Sequence, residues 1–139
     1  MKKNEISVLK SLNKEFKDDK PILCPNEYHR FDAYNNNYII EIKYRNKEYE
    51  NYIIEFDKYA YNTMYADLFN KKFLYVVGTP RDIYVFNITN LNKSNYNYKW
   101  EIREMPKQTE FDKNYNIDKL VGYLDLWAGK KIVDTKEKI

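Results

Sequence analysis

The stretch "FDAYNNNYIIEIKYR", residues 31–45, decides the fold. It predicts two strands joined at Asn35–Asn36–Asn37, because asparagine tolerates the left-handed backbone of tight turns. Side chains alternate across a strand, so Ile39, Glu41, Lys43 and Arg45 share one face of the second strand. The opposite face, which we expect to be buried, carries Tyr38, Ile40, Ile42 and Tyr44. An acid and a lysine therefore lie side by side in the middle of a strongly strand-forming segment.

A second acid comes from the first strand of this hairpin. Asp32 precedes Glu41 by nine positions, and a small offset between the strands would bring the two carboxylates together. Two such carboxylates repel unless a positive charge lies between them. Mg²⁺ fits that place, because it binds one or two carboxylates together with waters and substrate phosphates. Lys43 can then orient a water, and the set predicts metal-assisted hydrolysis of a phosphodiester.

Length and composition set the broad class. The chain has 139 residues, which fits one domain, and 43% of them are hydrophobic, as in a globular protein. The single cysteine, Cys24, excludes a disulfide or a cysteine-held zinc or iron–sulfur site within one chain. Residues 1–20 lack the apolar core of a signal peptide, and no apolar run reaches eighteen residues. We therefore expect a cytoplasmic setting, and the net charge of +3 permits a nucleic-acid partner.

The remaining patterns predict an ordered series of elements. A helix is expected over 4–17, capped by Asn4, with Glu5 near the centre of its apolar face and Glu15 toward the edge. A second helix is expected from Asp57 through Phe69, with Ala60, Tyr61, Met64 and Leu68 facing inward. Strands are expected at 27–34, 38–45, 52–56, 72–78, 83–88 and 98–105, loops at 18–26 and 90–97, and a weak helix at 117–128. This order predicts an α/β (α+β) domain with a mixed central sheet flanked by helices.

The pattern D-x8-E-x-K on a strand hairpin, after a helix with an inward glutamate, resembles the PD-(D/E)XK nuclease superfamily. That group includes restriction endonucleases and Holliday junction resolvases. The resemblance covers residues 4–77 in element order and departs from the motif at Phe31, where many members have proline. It implies a single restriction-endonuclease-like domain over 1–139, with a core at about 4–105 and a C-terminal extension at about 106–139.

The resemblance also implies a set of site residues. Asp32 and Glu41 would hold Mg²⁺, with Mn²⁺ as a substitute, and Lys43 would be catalytic. The carbonyl of Ile42 matches a frequent further metal ligand of the family. Glu5 matches a glutamate that some members add from the first helix. The alternative for Glu5 is a helix N-terminal acid that interacts with the macrodipole.

Substrate contacts and partners are predicted less directly. Lys58 matches a lysine or glutamine that lies beside the site in several small phage-type nucleases. Basic side chains that could follow a phosphate backbone are Arg45, Lys47, Lys71, Lys72 and Arg81. DNA is the substrate that the resemblance implies, and a homodimer and a phage or mobile-element origin, with a location in the host cytoplasm, are expectations of the same kind. The only histidine, His29, is interpreted as structural or exposed, and Trp100 and Trp127 as core or interface anchors.

Three rival interpretations stay open. The charges can be explained as a solvent-exposed sheet face, on which a cross-strand Glu–Lys pair contributes about 0.2–1 kcal/mol. The second rival keeps the fold but makes the chain a non-catalytic module that binds nucleic acid or protein. A weaker third interpretation is an assembly protein that does not contact nucleic acid.

Overall fold

A computed structural model describes residues 1–25, 30–106 and 116–132. The helices are α1 (Lys3–Glu15), α2 (Phe56–Leu68) and α3 (Ile88–Lys93), with a 3₁₀ turn at Leu126–Ala128. The first strands are β1 (Ile22–Leu23), β2 (Ala33–Tyr34), β3 (Tyr38–Tyr44), β4 (Asn51–Glu55) and β5 (Lys72–Gly78). They are followed by β6 (Ile83–Asn87), β7 (Glu101–Pro106), β8 (Asn116–Asp125) and β9 (Lys130–Ile132).

The strands form two sheets. The larger has the order β1-β2-β3-β5-β6-β9, and the smaller has the order β4-β8-β7. Within the larger sheet β3 and β5 are parallel, whereas the other neighbouring strands are antiparallel. The predicted mixed central sheet is therefore confirmed. The hairpin of β2 and β3 also turns at 35–37 as predicted, since Asn35 N–H donates to the Tyr38 carbonyl at 3.0 Å.

Both faces of the larger sheet are covered. Helix α1 packs Val8, Leu9 and Leu12 against one face, where Ile40 and Ile42 point. The other face carries Ile39 of β3 and the neighbouring side chains of β5, and it is covered by α2 and the smaller sheet. This two-sided burial explains the unbroken apolar run of β5. It also contradicts the interpretation of the charges as a solvent-exposed face, since Glu41 is only 3% exposed.

Four elements differ from the sequence prediction. Of the strand predicted at 27–34, only Ala33–Tyr34 forms β2; residues 30–32 are bends, and 27–29 lie outside the described residues. Strand β1 lies in the predicted loop 18–26 and pairs with β2. Helix α3 lies in the predicted loop 90–97 and begins earlier, where the Asn87 side chain accepts the Asn90 N–H at 3.0 Å. The weak helix predicted at 117–128 is wrong, because β8 occupies most of it. Pairing with β4 on one side and β7 on the other outweighs a weak local helical pattern.

The helices also shift in their caps and faces. The residue before α1 is Lys2, which makes no side-chain cap, so the predicted Asn4 cap is wrong. Met64 and Leu68 of α2 are exposed, whereas Asn62 and Ala66 are buried, so the predicted inward face is also wrong. Relative to the prediction, the helix is rotated about its axis, so that polar residues of its first half face the sheet.

The C-terminal part of the described chain is joined closely to the rest. Strand β8 pairs with β4, and β9 pairs with β6, although both belong to the segment predicted as an extension. Strand β7 is an edge strand that ends at Pro106, as predicted. Trp100 packs against the core, but Trp127 is largely exposed. Among the residues described, no helix is long and apolar enough to cross a membrane.

Candidate active site

The position of Asp32 is set by the irregular start of β2. Ala33 is the ladder partner of Ile40, yet the Asp32 N–H also donates to the Ile40 carbonyl at 2.8 Å. Two residues thus oppose one, which is the arrangement of a β-bulge, and bulges re-aim side chains near functional sites. The re-aimed Asp32 carboxylate accepts the Ile42 N–H through Oδ2 at 2.8 Å. It therefore continues the hydrogen bonding of β3 beyond the end of β2.

Glu41 lies at the centre of the site. Its side chain points to the face covered by α2, opposite to the face of Ile40 and Ile42. Its Oε1 lies 3.0 Å from Lys58 Nζ and 3.6 Å from Lys43 Nζ. Lys58 comes from the first turn of α2, and Lys43 comes from β3 itself. The sequence prediction that Lys58 lies beside Glu41 and Lys43 thus agrees with the geometry, whereas its role in binding substrate stays a prediction.

Burial and charge set the protonation of this cluster. Burial, and then the Asp32 carboxylate, raise the pKa of Glu41, and the two lysines only partly oppose this effect. Burial and then the neighbouring Lys58 lower the pKa of Lys43. Burial also acts to lower the pKa of Lys58, but the Glu41 carboxylate outweighs it, so that pKa is raised. Lys58 therefore stays protonated, whereas Lys43 loses its proton more readily than a free lysine does.

A second group of side chains surrounds the cluster. The Tyr75 hydroxyl, on the strand beside Glu41, donates to the Ile53 carbonyl at 3.0 Å, and the Arg45 guanidinium lies within hydrogen-bonding reach of it. Glu55 is close enough for its charge to act on both site lysines, and Lys119 Nζ lies 2.5 Å from its Oε1. Arg45 thus contacts the wall of the site, and its contact with substrate stays a prediction.

Sequence reasoning missed Asn62 as a neighbour of the site. It lies one helical turn after Lys58 on the same face of α2, and it is fully buried. Its Nδ2 donates to the Arg30 carbonyl at 3.3 Å, while its Oδ1 has no hydrogen-bond partner among the described atoms. It fixes the chain just before Asp32. The signal for this neighbour in the sequence was a lysine and an asparagine four residues apart at the start of a predicted helix.

The other predicted site residues are less close. Glu5 lies in the first turn of α1, which packs on the sheet face opposite to Glu41, and none of its described contacts reaches the acid pair. Its role as a ligand stays a prediction. Lys71 and Lys72 lie at the start of β5, away from the acids, and Arg81 lies at the turn before β6. His29 lies outside the described residues.

The donor set fits Mg²⁺ better than a metal that requires many protein ligands. Within the described ranges, no group of three or more His, Cys, Asp or Glu side chains could hold an ion. Two neighbouring carboxylates, Asp32 and Glu41, are nevertheless sufficient for Mg²⁺, which keeps waters and shares substrate phosphates. The Ile42 carbonyl leaves β3 on the same side as the N–H that binds Asp32, since both groups of one strand residue point the same way. It therefore faces the Asp32 side of β3, and its role as a metal ligand stays a prediction.

Comparisons with known proteins address the fold. No known family model matches the chain, and no curated protein matches it. Among solved structures, Hjc from Archaeoglobus fulgidus, described as a Holliday junction resolvase from an archaeal hyperthermophile, is similar with 17% identity and a TM-score of 0.55. The match covers 92% of this chain and 91% of that chain. The chain thus has the restriction-endonuclease-like fold that the resemblance implies.

Proposed function

We propose that the protein is a metal-dependent nuclease that hydrolyses phosphodiester bonds in DNA. One observation carries the proposal: the buried Glu41 carboxylate meets two lysine ammonium groups beside the Asp32 carboxylate. Holding the buried Glu41 together with the partly buried Asp32, Lys43 and Lys58 costs stability, because the charges lose part of their hydration. A fold keeps such a cluster where it serves chemistry, and side chains whose pKa is shifted by burial and charged neighbours gather at functional sites.

Each side chain has a distinct role in this proposal. Asp32 and Glu41 would hold Mg²⁺, with the Ile42 carbonyl and Glu5 as further ligands. When bound, Mg²⁺ would act as a Lewis acid that neutralises charge on the scissile phosphate. Lys43 positions the attacking water, and burial together with the neighbouring Lys58 lowers the pKa of its ammonium group.

Lys58 has the complementary role in the proposal. Its ammonium holds the Glu41 carboxylate at 3.0 Å and keeps the pair ordered when no substrate is present. Because its pKa is raised, it stays charged and can also meet a substrate phosphate. Arg45 supports the wall of the site through Tyr75.

The substrate is proposed to be recognised by shape more than by sequence. The fold shared with Hjc makes branched DNA the first class to test, and a homodimer is the expected assembly. Lysine and arginine contacts to phosphates carry no sequence information, so low sequence specificity is expected.

A cleavage assay tests the proposal. The protein is incubated with supercoiled, linear, single-stranded and four-way-junction DNA in Mg²⁺, in Mn²⁺ and in chelator. We expect cutting that requires metal, is lost in Asp32→Asn and Lys43→Met, and is kept in Asp18→Asn, which changes an exposed acid. Equal cutting by all variants would assign the activity to a contaminant and refute the proposal.

The non-catalytic binding module is favoured by a different observation. The hairpin of β7 and β8 exposes Ile102, at 72%, and Leu120, while Trp127 is exposed just beyond it. Exposed apolar surface of this kind marks interaction sites. A module that only binds should keep its affinity for DNA in chelator and in Asp32→Asn, and should cut no substrate.

A further inference from the structure

A cleft lined by aromatic side chains lies beside the acid pair. Its volume is about 290 Å³, and we call it the aromatic cleft. It is formed by four rings, the side chain of Ile39 and one ammonium group at the rim; these residues are Phe31, Tyr34, Ile39, Tyr65, Phe69 and Lys71. An apolar cavity of about 150 Å³ already accepts benzene, so this cleft has room for a planar ring system.

The cleft is close to the acid pair on the same strands and the same helix. Ile39 precedes Glu41 by two residues and points to the same sheet face, which puts them about 7 Å apart along β3. Tyr65 follows Lys58 by two helical turns on the same face of α2. Cys24, which also lines the cleft, donates its N–H to the Asp32 carbonyl at 2.9 Å. These positions place the aromatic cleft about one nucleotide's length from the acids.

The rings are arranged as walls. Phe31 and Tyr65 have centroids 5.0 Å apart, and Tyr65 and Phe69 have centroids 4.5 Å apart with their planes tilted by 31°. Phe69 is 53% exposed, so a large part of its ring is open to a ligand. Protein aromatic rings take up bases by stacking, with little regard to which base it is.

A positive charge lies at the far end of the cleft. Lys71 Nζ donates to the Asn35 carbonyl at 2.6 Å and lies 5.2 Å from the centre of the Tyr34 ring. Its ammonium is thus held in place at the rim. Lys43 and Lys58 supply positive charge at the acid pair. A nucleic-acid strand alternates flat apolar bases with phosphates, and here a ring-lined cleft with one lysine lies near a site with two more.

We propose that the aromatic cleft binds one unstacked nucleobase next to the phosphate held at Asp32 and Glu41. This inference rests on the proposed function and specifies its substrate. A base inside a duplex is stacked on its neighbours and cannot enter, so the substrate has an unpaired or extruded nucleotide beside the cut. The enzyme then selects branch points, gaps, flaps or single strands over perfect duplex DNA.

The experiment removes the base and the ring in turn. Single-stranded and branched oligonucleotides carry an abasic residue at successive positions near the cut, and binding is measured by fluorescence anisotropy in Ca²⁺ and in chelator. We expect an abasic residue at one position to weaken binding about 5- to 150-fold, the range that stacking of one base provides. Phe69→Ala should cause a similar loss with intact DNA and little further loss with the abasic strand.

Controls separate this effect from a general loss of structure. Leu68→Ala changes the neighbouring side chain, which is 75% exposed and does not line the cleft, and it should bind as the unaltered protein does. Phe69→Trp should restore the discrimination, because it keeps a stacking ring. The thermal midpoint of each variant is compared with that of the unaltered protein.

The outcomes test base binding in the cleft and the proposed nuclease activity separately. Binding that weakens at one abasic position without any cutting would support the cleft and refute the nuclease. If an abasic residue at any position leaves cutting unchanged, or if Phe69→Ala weakens binding equally with and without the base, the proposal that the cleft binds a base is overturned. The proposed nuclease activity is not affected by that result. Failure to bind any DNA at low salt would overturn both, and would leave the cleft to an apolar side chain of a protein partner.

Discussion

Asp32 acts both as a hydrogen-bond acceptor and as a negative charge, and two substitutions can separate these roles. Its Oδ2 accepts the Ile42 N–H at 2.8 Å, and its charge adds to the repulsion at Glu41. Asp32→Ala removes the acceptor, and an unsatisfied backbone N–H costs about 1–3 kcal/mol. Because Asp32 is only half-buried, water reaches the group in part, and we expect about 1–2 kcal/mol. Asp32→Asn keeps an acceptor oxygen, removes the repulsion, and should not destabilise the fold.

The assay is thermal unfolding in chelator. With an unfolding entropy of about 2.1 cal/mol/K per residue, a chain of 139 residues loses about 3–4 °C for each kcal/mol. Asp32→Ala should therefore melt about 3–7 °C lower than the unaltered protein, and Asp32→Asn at the same temperature or higher. Both should lose Mg²⁺ binding in a calorimetric titration. Equal melting temperatures for the two variants would show that the hydrogen bond to Ile42 does not support β3, and would refute this reasoning.

Three further predictions concern other parts of the molecule. Lys58→Met leaves the buried Glu41, among the described side chains, with the 3.6 Å contact to Lys43 as its remaining ion pair. Urea unfolding should therefore show a loss of about 1.5–3 kcal/mol, which Glu41→Gln in the same chain should largely restore; no restoration would contradict this. Leu12→Ala opens a cavity between α1 and the sheet and should cost about 2–5 kcal/mol in the same assay, whereas Ile6→Ala, at a position that is 40% exposed, should cost much less. Burial, with the charges of Asp32 and Glu41, raises the pKa of the Cys24 thiol to about 11, so alkylation in chelator at pH 8 should be slower than for the unfolded chain. The same shift predicts a contribution to stability that is constant below about pH 9 and falls as the pH rises from 9 to 11, because only the unfolded thiol then ionises; equal alkylation rates would contradict it.

The hairpin and the charges on it were predictable because they are local. Alternation along residues 38–44 and the asparagine turn define β3 and its two faces from the sequence alone. The unbroken apolar run of β5 was equally clear. The placement of Lys58 beside Glu41 followed from the resemblance, and the geometry agrees with it.

The elements that were missed depend on distant partners. Strand β8 exists because β4 and β7 flank it, and no local pattern shows that a strand will have two neighbours. The inward face of α2 was misjudged because hydrophobicity favoured Met64 and Leu68, whereas the helix turns Lys58 and Asn62 to the sheet. The fold thus departs from the hydrophobic pattern close to the candidate site, where polar side chains are buried for a purpose other than packing.

The pairing of β4 with β8 has a consequence for the order in which the candidate site assembles during synthesis. Strand β4 leads directly into the helix that supplies Lys58, and its partners, from Val121 to Asp125, are synthesised more than sixty residues later. Contacts between such distant segments slow folding, because a long loop must close before they form. While the chain is still on the ribosome, the acids of the hairpin are already present but the lysine opposite them has no fixed support. The pairing of Glu41 with Lys58 is therefore expected to form only once translation has passed β8.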